Sequence, residues 1–63
     1  MEAKIKMISG STIIIENIYD IYSNKESLIE YIYKNINGFI IIQNTLLTVR
    51  HIESIQFFEN DKL

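Results

Sequence analysis

Polar and apolar residues alternate at both ends of this chain, and between them apolar residues recur at helical spacing. In residues 3–7, Lys4 and Lys6 point one way while Ile5 and Met7 point the other; residues 12–15 continue the alternation after Ser9-Gly10-Ser11. Setting Ile5 opposite Ile13 places Ile5, Met7, Ile13 and Ile15 on one face, with Lys4, Lys6, Thr12, Ile14 and Glu16 on the other. In that register Gly10 takes the left-handed position of a bulged three-residue loop. A tighter Gly10-Ser11 turn would mix the two faces, and a one-residue slip costs every buried side chain. The next element is a helix from residue 24 or 25 through 36, with Ser23 as N-cap and Glu26 reaching back to it. Leu28, Ile29, Ile32 and Ile36 form its buried stripe, Tyr33 borders it, and Glu26, Glu30 and Lys34 face water. Asn37-Gly38 is the stop signal, with Gly38 suited to a left-handed conformation.

Residues 39–43 and 46–50 predict a second hairpin across Asn44-Thr45, with Gln43 opposite Leu46. Ile40, Ile42, Leu47 and Val49 then lie under the helix, and Phe39, Ile41, Gln43, Leu46, Thr48 and Arg50 face away. The pattern breaks at His51 and resumes over 52–58 as a strand with Ile55 and Phe57 on one side. Residues 60–63 are expected to fray. The expected core is Ile5, Met7, Ile13, Ile15, Leu28, Ile32, Ile36, Ile40, Ile42, Leu47 and Val49.

This pattern predicts an α+β fold: a small antiparallel or mixed sheet with one helix packed on one face, in the order ββαββ with a further last strand. The stretch IKMISGSTIII, alternating around Gly10, resembles the opening hairpin of ubiquitin-like folds, and the order hairpin, helix, hairpin resembles a minimal β-grasp. The resemblance implies a topology and no function, since no terminal Gly-Gly is present. A simple antiparallel sheet under one helix fits the pattern equally.

Composition changes this picture in two ways. Sixty-three residues predict one domain with a marginal core, which small proteins commonly supplement with disulfides, a metal or a partner. The chain has no cysteine and one histidine, His51, so a partner is the expected supplement. Isoleucine makes up about a quarter of the residues, and Asn, Lys and Tyr are plentiful while Ala, Arg, Gly and Pro are scarce. These are residues of AT-rich codons, which points to a low-GC bacterium or one of its phages. The net charge of −2 offers no general attraction to phosphates, so nucleic acid is disfavoured as a partner. No apolar run approaches the ~20 residues of a membrane span, and no leader pattern opens the chain, so a cytoplasmic location is expected.

No catalytic constellation, cofactor motif or metal site emerges. His51 between Arg50 and Glu53 lacks the second histidine of a zinc-protease motif, no serine sits in a nucleophile elbow, and Gly10 and Gly38 read as punctuation. The expectation is therefore a protein that is not an enzyme. Its most informative feature is an apolar surplus on the face away from the helix. Ile14, Phe39, Ile41, Leu46 and Phe58 are the candidate interface for a partner or a second copy, with a dimer favoured. Self-association would use that face or an exposed strand edge. The leading function is a small interaction protein, an oligomeric inhibitor or regulator from a phage or mobile element that binds a larger host protein, for example an inhibitor of host defence. The alternatives are a module that sequesters a nucleotide signal between subunits, with Tyr31, Arg50 and His51 as candidate ligand contacts, and a nucleic-acid-binding regulator.

Overall fold

The computed structural model describes residues 1–59; the expected fraying of 60–63 lies outside the described residues. The elements are β1 (Glu2–Met7), β2 (Thr12–Ile15), α1 (Lys25–Lys34), β3 (Phe39–Ile42), β4 (Thr45–Thr48) and β5 (Ile52–Phe58), with 3₁₀ turns at Ile18–Asp20 and Val49–His51. The α+β class and element order are as the pattern predicts.

The first hairpin keeps the expected register, with Ile5 opposite Ile13. Gly10 N–H donates to the Met7 carbonyl at 2.9 Å and Met7 N–H to the Ser11 carbonyl at 2.8 Å, closing a three-residue loop in which Gly10 has φ +100°. An L side chain rarely adopts that conformation, which is why a glycine stands there.

The second hairpin differs. Ile42 pairs with Thr45 and Ile41 with Leu46, so the loop is Gln43-Asn44 rather than Asn44-Thr45. Both loop residues are left-handed, at φ 52° and 62°, the arrangement whose twist matches that of the flanking strands. Asparagine tolerates this conformation and β-branched threonine does not, so the loop excludes Thr45. The register moves by two residues, one full strand period, and the predicted faces survive.

The helix is capped by Asn24 rather than Ser23: the Asn24 side-chain oxygen accepts from the Ser27 N–H at 2.9 Å and from the Ser27 hydroxyl at 3.1 Å. At the other end Asn35 donates its side-chain amide to the Tyr31 carbonyl at 2.8 Å. Gly38 does not take the left-handed conformation, because this side-chain cap and a run of turns replace the glycine signal. Helical geometry therefore stops at Lys34. Ile36, expected in the core, lies beyond the last turn and is 45% exposed.

The largest correction concerns the sheet. One sheet was expected and two form: a three-stranded sheet in the order β2-β1-β5 and a separate β3-β4 ribbon. The 3₁₀ turn after β4 ties back to Gly38 through Val49 N–H and accepts from Ile8 N–H at the His51 carbonyl. It delivers the chain to the open edge of β1, where β5 pairs antiparallel. All pairings among the described residues are antiparallel and the two hairpins never join, so the β-grasp topology does not hold.

Both sheets turn their apolar faces to one cluster. Ala3, Ile5, Met7 and Ile15 come from the three-stranded sheet, Ile40, Ile42 and Leu47 from the ribbon, Leu28 and Ile32 from α1, and Ile18 and Val49 from the turns. Ala3 and Ile18 are additions to the expected core, and Ile13 is only half-buried.

Candidate interaction surface

All five expected interface residues are exposed, but two different sheets carry them. The outer face of the β3-β4 ribbon presents Phe39, Ile41 and Leu46, which are 60%, 59% and 62% exposed. Ile41 and Leu46 are direct cross-strand partners, and Phe39 opposes Thr48 two pairs further along, on the same face. Strand alternation forces this: with Ile40, Ile42 and Leu47 buried beneath, their neighbours must face out. No charged residue occurs in β3 or β4. The Tyr31 hydroxyl accepts a hydrogen bond from Ile41 N–H at 3.1 Å, so the helix steadies the outer edge of β3 beside this patch.

Ile14 and Phe58 stand instead on the outer face of the three-stranded sheet. Lys4 lies between Ile14 and Gln56 in the register, Glu2 pairs with Phe58, and Lys6 reaches Glu53 at 3.9 Å. Charges separate the two apolar side chains there, so the single five-residue patch does not exist. The reason is the split of the sheet, which gives each part its own outer face.

The candidate ligand contacts are placed as follows. Tyr31 is half-buried with its hydroxyl engaged by β3, and its ring lies 6.4 Å from that of Tyr22. Arg50 and His51 are exposed in the 3₁₀ turn, where the His51 carbonyl holds Ile8. Burial, and secondarily the neighbouring Tyr31, raise the Tyr22 phenol above its ordinary 10.0. A group raised in the folded state contributes its full stability below the unfolded value and loses it as pH climbs through the folded one. Urea midpoints measured between about pH 9 and pH 11 should therefore fall more steeply for the wild type than for Tyr22→Phe. Parallel slopes would show that Tyr22 is as solvated folded as unfolded.

Two clefts lie along α1. One of about 480 Å³, with a mixed lining, is bordered by Asn24, Glu26, Ser27, Ile29, Glu30 and Tyr33. A nearly wholly apolar one of about 260 Å³ is lined by Ile29, Ile32, Tyr33, Ile36 and Ile55. Placing Ile29 and Ile36 in the helix's buried stripe, where they are in fact 37% and 45% exposed, hid the second from sequence reasoning. The available signal was the width of the stripe: four large apolar residues plus Tyr33 exceed what one short helix can bury. Neither cleft includes Tyr31, Arg50 or His51. Among the described residues, no group of three or more His, Asp or Glu side chains is placed to hold a metal ion, and no helix is long and apolar enough to cross a membrane.

The chain matches no family model, no curated protein sequence and no solved structure.

Proposed function

We propose that this protein is a non-enzymatic, self-associating interaction module that acts in the cytoplasm by covering a surface of a larger protein, as an inhibitor or regulator. The observation that carries the reading is the uncharged outer face of the β3-β4 ribbon, where Phe39, Ile41 and Leu46 stand exposed in cross-strand register. A rigid, charge-free group of large side chains is what the desolvated centre of a protein interface requires. Covering the roughly 60% of each that is still exposed contributes about 1–2 kcal/mol before the costs of association. The AT-rich residue usage supports a phage or mobile-element origin, and an inhibitor of host defence is the concrete form of the proposal. A ligand-sequestering role has less support, because the Tyr31 hydroxyl is already engaged and neither cleft brings it to Arg50 or His51.

The test is affinity capture from a low-GC host lysate with three baits: wild type, Ile41→Asp, and Ile14→Asp as a control on the other sheet. Ile41 is largely exposed, so its replacement should leave the fold intact. A true target should stay on the wild type and the Ile14→Asp bait and bind Ile41→Asp at least about 30-fold more weakly, as expected for a central interface residue worth ~2 kcal/mol or more. A target held equally by all three baits would remove the ribbon face from the proposal.

A further inference from the structure

β5 is the outer strand of the three-stranded sheet and, at seven residues, the longest strand among the described residues. Which of its backbone groups are unpaired follows from the alternation of antiparallel ladders. Met7 N–H donates to the Ser11 carbonyl, continuing the Ile5–Ile13 register, so Ala3, Ile5 and Met7 aim their backbone groups at β2. Ile8 N–H donates to His51, so the even-numbered residues of β1 aim at β5. Their partners Ser54, Gln56 and Phe58 return those bonds. The N–H and C=O of Ile55 and Phe57 therefore point outward along the open edge.

Natural edges are blunted by charges, prolines or bulges. In β5 these stop early: the register shift lies where Met7 meets Ile52 and Lys6 meets Ser54, and Glu53 is the only charge. Residues 54–58, Ser-Ile-Gln-Phe-Phe, carry none. Beside this stretch runs the apolar groove between α1 and Ile55, lined also by Ile29, Tyr33 and Ile36, which are exposed along it. An added strand would extend the floor that Ile55 begins. The opposite edge, β2, is four residues long and lines neither cleft.

We propose that β5 pairs antiparallel with β5 of a second copy about a two-fold axis through Gln56. In this register Ile55 of each copy opposes Phe57 of the other, Gln56 opposes itself, and Ser54 opposes Phe58. The residues with free backbone groups are the ones that meet, so four N–H···O=C bonds form and a six-stranded sheet results. Ile55 and Phe57 project on the inner face, where each copy's pair extends the floor of the other's groove. Residues 54–58 carry no charge, and the charged group set against them from the helix is Lys25 of α1, whose ammonium lies over the Phe57 ring at 5.9 Å to its centroid. The occupant is a second copy because β5 supplies the matching spacing of free amides and the same uncharged apolar alternation. Ile29, Tyr33 and Ile36 beside the edge are exposed in the single chain, and covering part of them adds apolar area to that of the paired backbone. This pairing specifies the self-association in the proposed function and does not use the ribbon face, so target binding through the ribbon and pairing through β5 can fail independently: a monomeric wild type removes the pairing alone, and equal capture by all three baits removes the ribbon face alone.

The absence of native cysteine makes a positional test direct. Opposed residues of a non-hydrogen-bonded pair have Cα atoms about 4.5 Å apart, within disulfide reach, so Gln56→Cys should cross-link across the axis. The two Ser54 positions would be about 14 Å apart, so Ser54→Cys should not. The expected result is a dimer by light scattering for the wild type, rapid disulfide dimer formation by Gln56→Cys under mild oxidant, and none by Ser54→Cys. Gln56→Lys and Gln56→Glu should each weaken the dimer several-fold, and mixing them should restore it. A monomeric wild type at millimolar concentration, equal cross-linking at both positions, or a dimer that links through Thr48→Cys on the ribbon in place of Gln56→Cys would overturn the proposal. So would an edge that engages only a strand of a different protein.

Discussion

Ile5→Ala should leave much of the protein unfolded at 25 °C. Ile5 is fully buried at the centre of β1, the middle strand, with Ile13 opposite on one side and Ile55 on the other. Its side chain belongs to the cluster that both sheets and the helix share. Truncation to alanine removes the transfer energy of the lost carbons and leaves a cavity that a three-element junction cannot close, a cost of about 2–5 kcal/mol. At 0.05–0.15 kcal/mol per residue, a chain of this length has only about 3–9 kcal/mol in total. Urea unfolding at one fixed protein concentration measures the loss, since self-association would add stability by mass action. Ile14→Ala, on the exposed face of the neighbouring strand, should change the midpoint little. A loss below about 1 kcal/mol for Ile5→Ala would show that the core repacks freely around β1.

Ile18→Ala is the second large effect. Ile18 opens the 3₁₀ turn between the first hairpin and the helix and is fully buried. Its N–H donates to the Met1 carbonyl at 2.8 Å, and its own carbonyl accepts from both Ile21 and Tyr22. Asn17 holds the start of the turn by accepting from Tyr19 N–H at 3.1 Å. The side chain is thus pinned into the cluster by its own backbone, with little freedom to move when truncated. The cost should again be about 2–5 kcal/mol, lowering the melting temperature by on the order of 10–30 °C for a domain this small. Ile21→Ala, three residues on and mostly exposed, is the matched control and should shift it by a few degrees at most. Equal shifts for the two would mean that the turn is not anchored by Ile18.

Residues 16–23 were the least legible part of the chain because they contain no period. Ile18, Ile21 and Tyr22 are all large, and nothing local separates the one that is buried from the others; packing against Met1 and the cluster does. The helix start shows a finer limit. Ser23 and Asn24 are both good caps, each followed three residues later by a polar partner, and the choice fell to the geometry of the chain entering α1. The interface residues divide in the same way. The exposure of Phe39, Ile41 and Leu46 followed from alternation alone, whereas their separation from Ile14 and Phe58 depended on how the strands were grouped.

By itself the amino-acid sequence determined which side chains share a face of each strand, the bulged loop at Gly10 and the presence of a short amphipathic helix. Those relations rest on backbone periodicity and on the steric preferences of single residues, and they survived even where the ribbon register was off by two. Only the tertiary structure decided that β5 lies against β1 and not beside the ribbon, that the apolar surface therefore falls into two sheets, and that Ile29, Tyr33 and Ile36 overhang a groove at an open edge. The β1–β5 pairing joins residues about fifty positions apart. It depends on the long-range closure of one shared core, which local pattern does not encode.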